Sequence, residues 1–299
     1  MSDTRQVSRP RSLLTGLAVT AIAVLVAACG STAAPPTAAP ATAAPSTAVS
    51  AAPSVAATDT TPKGGTMTVL TSGDLTSWDP CVVTSTVPTQ VGDMLSMVYG
   101  NLVWTDVKGV VQPGMAKSLT TTDAITWTLK LRDGVKFIDG HMYDADAIKY
   151  NWDRIADKTQ GCSSQAWVSG WNTGMTVTDA ATLTIKLPSA DANFALKVAE
   201  LIPYIASPAA LAAAAKKTDI KPMGAGPFTN TAWSQGVSSA YIRSASYWDQ
   251  PRPYLDGLKV SIVSDTNARI STVVQGGGQF MAGYPFQFGS NATATHVAT

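Results

Sequence analysis

From residue 65 onward the sequence predicts an α/β fold built on a mixed sheet, and three features of its patterning predict it. Short stretches alternate apolar and polar side chains, the period of a strand with one buried face. Between them lie stretches with apolar residues at i, i+4 and i+7, which fall on one face of a helix. The two kinds follow one another without the strict strand–helix–strand rhythm of a purely parallel sheet, so a mixed sheet of the α/β or α+β kind is favoured.

The first strand opens after two glycines in "GGTMTVLT", with alternation over residues 66–71. In the polar loop that follows, "SGDLTSWDPCVVTSTVPT", Asp-Pro and repeated Ser and Thr mark turns, while Trp78 and Cys81 call for packed neighbours. Val91, Leu95, Val98 and Leu102 then share one helical face, ended at Tyr99-Gly100-Asn101 by residues that tolerate left-handed backbone. "ITWTLKLRDGVKF" reads as a hairpin: a strand over 125–131, a turn at Arg132-Asp133-Gly134 and a second short strand, with Ile125, Trp127, Leu129 and Leu131 on one face. Asp144 stands where the N-cap of the helix "DADAIKYNWDRIAD" belongs, and Ile148, Trp152 and Ile155 form that helix's apolar face. "MTVTDAATLTIKLP" is a second hairpin, turning at Asp179-Ala180-Ala181. "DANFALKVAE" and "SPAALAAAAKK" are helices, the latter with Ser207 as cap and Pro208 at the first helical position. "SSAYIRS" and "LKVSIV" are strands, and "DTNARISTVVQGGG" is a helix capped by Asp265, with Ile270, Val273 and Val274 as its apolar residues and glycines as its stop.

Ahead of this folded part, Arg5, Arg9 and Arg11 precede an apolar run over 13–28, the layout of an export signal. The run is interrupted by Thr15, Gly16 and Thr20 and falls short of the roughly 20 apolar residues that span a bilayer. Val26-Ala27-Ala28-Cys29 resembles the lipobox of bacterial lipoproteins. Residues 1–28 are therefore read as a lipoprotein signal peptide and Cys29 as the lipidated residue that holds the protein on the outer face of the cell membrane. Residues 31–62 are Ala, Pro, Ser or Thr throughout, apart from Val49, Val55 and Asp59, a composition that builds no core. The span 29–64 is thus Cys29 followed by a disordered, semi-stiff tether. The folded domain is placed at 65–280, with a tail over 281–299.

A net charge of +1 and the lack of basic runs interleaved with aromatics exclude the electrostatic footprint of a nucleic-acid binder. With Cys29 assigned to lipid, the other two of three cysteines, Cys81 and Cys162, most simply form a disulfide in an oxidising exported setting, two free thiols being the alternative. Tools for catalysis are scarce. The only histidines are His141 and His296, and no nucleophile elbow, zinc-protease motif, Walker sequence or EF-hand loop occurs. "GAGPF" is a tight chain reversal rather than a dinucleotide turn. Asp133, Asp139, Asp144 and Asp146 are close in sequence, but turns and caps account for all four without a metal. Pairing of Cys162 with His141 as a thiol nucleophile is the less favoured use of that cysteine. No catalytic residue, metal site or cofactor is assigned.

The segment "GMAKSLTTTDAITWTLKLRDGVKFIDGHMYDADAIKYNWDRI" resembles the signature region of the family 5 extracellular solute-binding proteins, the dipeptide, oligopeptide and nickel group serving ABC importers. Pro113-Gly114-Met115-Ala116-Lys117-Ser118, the strand over 125–131, the turn over 132–140 and the helix start over 144–148 fill its slots in order. "MGAGPFT" and "YWDQPRPYLDGLKVSIVSDTNARISTVVQGG" continue the likeness, which runs from about residue 64 to 279. Ile138 stands where a polar residue is common, and "GGGQFMAG" replaces a usually acidic stretch, which blurs the course of the chain after Gly278.

The resemblance implies a non-enzymatic protein of two lobes that closes on a solute held between them. This chain supplies lobe I of that periplasmic-binding-protein-like fold, with the second lobe absent and 281–299 a truncated hinge-region tail. By position, Trp78 and Cys81 in the first loop, Ala166 and Trp167 after the signature helix, and Pro203 and Tyr204 in "ELIPY" match cleft-facing places. A Cys81–Cys162 bridge ties the first two of these segments together at the cleft rim. The implied partners are a peptide, or else a nickel complex or oligosaccharide, together with ABC permease subunits and the membrane through the lipid anchor; the protein is expected to be a monomer. One wall without the other is expected to bind weakly or not at all. The rival readings are an extracytoplasmic hydrolase and a sensory or adhesion lipoprotein that keeps only lobe I.

Overall fold

The computed structural model describes residues 62–82 and 89–282. The expected signal peptide, Cys29, most of the tether, His296 and the tail from 283 onward lie outside the described residues.

Two sheets, each with its own hydrophobic core, carry the fold. Strand β1 (Thr66–Thr71) lies in the five-stranded sheet, flanked on both sides by parallel partners. One is β10 (Gly257–Ile262), the other the short β11 (Phe280–Met281). Antiparallel β9 (Ser238–Arg243) and β8 (Phe228–Ser234) complete the order β11-β1-β10-β9-β8. The parallel β1–β10 pairing joins residues about 190 apart in sequence, a long-range contact of the kind whose loop-closure entropy slows folding. Helix α1 (Thr89–Tyr99) packs on this sheet. Met94, Leu95, Val98 and Tyr99 are buried in one core with Val69, Phe228, Tyr241, Leu258 and Val260. The helix stops at Gly100, whose φ of 66° suits a residue without Cβ.

The four-stranded sheet is antiparallel throughout. Its order is β4 (Ala116–Thr121), β5 (Thr126–Leu131), β7 (Thr182–Lys186) and β6 (Met175–Asp179). A two-stranded ribbon of β2 (Val103–Thr105) and β3 (Val111–Pro113) precedes it. Helices α2 (Ala145–Ala156), α3 (Gln165–Val168) and α4 (Phe194–Leu201) contribute to its core. Asp144 caps α2 through its carboxylate, which accepts from the Ala147 amide at 2.9 Å, and Ile148, Trp152 and Ile155 are buried as their spacing predicts. Trp152, Trp171, Phe194 and Trp127 form a chain of ring contacts with centroids 5.1–5.5 Å apart. Each such contact adds to the area burial by about 1 kcal/mol. Helix α5 (Pro208–Ala213) follows Ser207 but is shorter than its alanine run, because the chain leaves helical geometry at Ala214.

The mixed α/β class and the hairpin at residues 175–186 stand as read from the sequence. Two local readings need correction. The segment after the turn at Arg132-Asp133-Gly134 does not fold back on β5, whose two edges are already taken by β4 and β7. It forms its own tight reversal, with Lys136 bridged to Met142 and the Phe137 amide donating to the His141 carbonyl at 2.9 Å. Helix α6 (Thr266–Val274) is capped by Asp265 as expected, yet Ile270 and Val274 are exposed and the one buried residue is Arg269. The guanidinium of Arg269 donates to the carbonyls of Val263 and Ser264 at 2.6 and 2.8 Å. A charged side chain thus takes the inward position by satisfying backbone oxygens of the turn after β10.

Candidate functional site

The loop over 72–82, which leaves the end of β1, is fixed at four points. Asp74 accepts from the Trp233 indole at 3.2 Å and from the Gly236 amide at 2.6 Å, which binds the loop to the β8–β9 turn. Trp78 is 3% exposed and meets Trp233 and Tyr241 edge to face, while its carbonyl accepts from the buried Tyr99 hydroxyl at 2.5 Å. Asp79 has no exposed surface and takes both ends of the Arg154 guanidinium, at 2.8 and 2.7 Å. Cys81 is joined to Cys162. The ion pair and the disulfide together fasten the loop to the C-terminal end of α2 and the segment just after it.

A concavity of about 620 Å³ opens beside these two ties, between α2 and the chain after α5. Tyr150, Asp153, Arg154, Asp157, Lys216 and Lys217 line it with charges of both signs. Arg154 is held by Asp79, and Asp153 pairs with Lys149. Backbone and hydroxyl donation from Thr159 lowers the Asp157 carboxyl below its ordinary range, so Asp157 stays ionised. The Lys217 ammonium lies 3.4 Å from Cys81 Sγ, and its carbonyl accepts from Ser77 at 2.6 Å. The arrangement offers cations and anions side by side in a groove of ligand size. Cys162, the thiol weighed as a nucleophile, is bonded to Cys81. Among the described residues no group of three or more His, Cys, Asp or Glu is placed to hold a metal ion.

Of the six residues expected to face a cleft, packing has taken most. Trp78 and Tyr204 sit in the core of the five-stranded sheet, Cys81 in the other. Pro203 is buried and its carbonyl accepts from the Leu102 amide at 2.8 Å. The Tyr204 hydroxyl donates to the Gly92 carbonyl at 2.9 Å, and burial, reinforced by Asp93 and Glu200, pushes its pKa up. Trp167 is half-buried against Trp171 and Phe194, and Ala166 beside it is exposed. Only these last two keep surface for a solute. Trp78 and Tyr204 thus belong to the core of the five-stranded sheet, while Trp167 packs against the core of the four-stranded one. Arg154, Lys216 and Lys217 went unnoticed in the sequence. Arg154 had one signal, a cation in the last turn of a helix beside its apolar face.

The sequence pattern described as bacterial extracellular solute-binding proteins, family 5 Middle, matches residues 110–293. The glutathione-binding protein GsiB of Salmonella typhi is 29% identical over 241 residues, 80% of this chain and 45% of the relative. Among solved structures, the oligopeptide-binding protein AppA of Bacillus subtilis, in complex with a nonapeptide, superposes with a TM-score of 0.65 at 24% identity, covering 74% of this chain and 44% of AppA. AgaA of A. tumefaciens R10, in complex with agropinic acid, gives 0.65 at 25% identity, covering 73% and 43%. The chain thus spans less than half the length of these relatives. By sequence pattern and by fold, this chain belongs to the family 5 bacterial extracellular solute-binding proteins.

Proposed function

We propose that this chain forms one wall of the solute-binding component of an ABC importer, non-enzymatic and serving peptides, which it hands to a permease. The observation that carries this reading is the mixed-charge groove beside the Cys81–Cys162 bridge. A short peptide presents an ammonium and a carboxylate, and Asp153 and Asp157 stand there beside Lys216 and Lys217. Names among similar proteins support the solute class, since GsiB is named for glutathione and AppA was solved with a nonapeptide. Lipid attachment at Cys29, a monomeric state and a place on the outer face of the membrane belong to the same proposal.

A groove open on one side leaves the solute in contact with water, so affinity for this chain is weak, with Kd above about 1 μM. Calorimetry with glutathione and a panel of di- to nonapeptides tests this. The expected result is weak, saturable heat that disappears in a Lys216→Glu/Lys217→Glu double variant. Absence of any heat with peptides, or heat unchanged by the charge reversal, overturns the assignment of the groove.

A further inference from the structure

The geometry points to a second binding site, for a small carboxylate attached to a flat apolar group, in a concavity where β2, β3 and the residues after β9 meet. This concavity encloses about 660 Å³ and shares no lining residue with the groove beside the disulfide. The inference does not depend on the transport reading.

Its walls are aromatic and fixed. Trp104 is 44% exposed although its indole N–H is anchored to the Pro113 carbonyl at 3.0 Å. A large apolar ring held rigidly in water is a standing surface for a partner, and it loses little conformational entropy on binding. Tyr247 and Trp248 lie 5.7 Å apart on the same concavity, and the Trp248 indole is held by the Met115 sulfur at 3.2 Å.

Its polar groups are ready for an anion. The guanidinium of Arg132 lies 3.4 Å from the Trp248 ring centroid, and its Nε donates to the Gly114 carbonyl at 2.9 Å. Stacking and this one hydrogen bond fix the plane of the fork, while among the described residues its two terminal nitrogens have no partner. A pre-oriented guanidinium of this kind takes a carboxylate through two parallel hydrogen bonds. The Asn101 amide and the Tyr247 hydroxyl line the same space and are likewise without hydrogen-bond partners among the described residues. Burial raises the Tyr247 phenol, which therefore remains a neutral donor.

Charge count selects a monoanion. Arg252 also lines the site but pairs with Asp249 at 2.7 Å, so Arg132 is the cation left over. A dianionic phosphate would need a second free cation and would meet the Asp249 carboxylate. A neutral ligand would leave the stacked fork unpaired. An aryl or indolyl carboxylate satisfies both the walls and the fork.

The test is calorimetry and saturation-transfer NMR on the full chain with N-acetyl-L-phenylalanine, against N-acetyl-L-phenylalaninamide as the uncharged control. The expected result is saturable binding of the acid and an affinity for the amide at least about tenfold lower. Trp104→Ala removes the exposed wall without touching a core. Arg132→Lys keeps the charge and loses the fork. Each is expected to weaken the acid by about tenfold or more, with Trp104→Ala melting close to the parent. The proposal is overturned if the acid does not bind saturably, if acid and amide bind alike, or if Trp104→Ala binds as the parent does. Should Arg132→Lys fail to fold, the acid–amide comparison and Trp104→Ala decide the matter by themselves.

Discussion

A charged residue without exposed surface stands or falls with its partner, and Asp79 illustrates this. Its carboxylate accepts two bonds from Arg154 and one from the Cys81 amide at 2.9 Å. Each carboxylate oxygen that burial strips of water thus has at least one donor. Asp79→Asn keeps the shape but leaves the Arg154 guanidinium, itself only 14% exposed, without a counter-charge. The expected loss is about 3 kcal/mol, near the lower end for breaking a buried pair because Arg154 borders an open groove. Urea unfolding reads it as a lower midpoint with an unchanged slope. Combining Asp79→Leu with Arg154→Met is expected to regain most of that loss, since two apolar groups remove the desolvation cost that the ion pair had to offset. A double variant no more stable than Asp79→Asn alone would show that the loop needs these hydrogen bonds for its shape.

At the scale of elements, what was legible is what local chemistry decides. The α2 cap and buried face, the 175–186 hairpin and the stop of α1 at Gly100 each follow from a few neighbouring residues. What failed was decided at a distance. The strand expected after Gly134 had no free edge to join, because β7, some fifty positions later, pairs with β5. The buried face of α6 differs from the one its apolar residues predict because backbone carbonyls outside the helix claim Arg269. "GAGPF" belongs between these cases. It is irregular backbone with a bend at Gly226-Pro227 rather than the tight reversal its composition predicts, and its glycines answer to α1. A Cβ on Gly224 would lie 2.0 Å from the Val98 carbonyl oxygen and 2.7 Å from the Tyr99 Cα. Both are backbone atoms in the last turn of a buried helix, so nothing nearby yields cheaply. Gly224→Ala is therefore expected to destabilise the fold by about 3 kcal/mol or more, against about 1 kcal/mol for the loss of the α2 cap in Asp144→Ala. Thermal melts of the two variants side by side give the comparison, and a smaller effect at Gly224 would mean that the end of α1 is free to shift.

Across the whole molecule, the candidate site was less legible than the fold, since a groove is made by segments that only the tertiary structure brings together. The segments named from the sequence, around Trp78 and Cys81, Ala166 and Trp167, and Pro203 and Tyr204, contribute none of the residues that line the groove, which come from α2, the chain just after it and residues 211–220. The tie between the segments has a consequence for stability. Cys81 follows a strand of one sheet, and Cys162 follows the helix that packs on the other, so the bond closes a loop with a sequence separation of 81 residues. Chain entropy puts the effect of such a closure at about 4 kcal/mol, which for a domain of this size is a fall in Tm of roughly 10 °C on reduction. The reduced protein is nonetheless expected to stay folded and to melt in one transition, because other bonds still join the two cores. Asn151 in α2 donates to the Ala206 carbonyl at 2.8 Å and accepts from the Ala206 amide at 3.1 Å, and the Ile138 amide donates to the Gly224 carbonyl at 2.9 Å. Melting with and without reductant, followed by near-ultraviolet circular dichroism and repeated on a Cys81→Ser/Cys162→Ser variant, separates the outcomes. Equal melts in both conditions would mean that the thiols are free in solution, and two resolved transitions after reduction would mean that the bridge, rather than the Asn151 and Ile138 contacts, makes the two cores one cooperative unit.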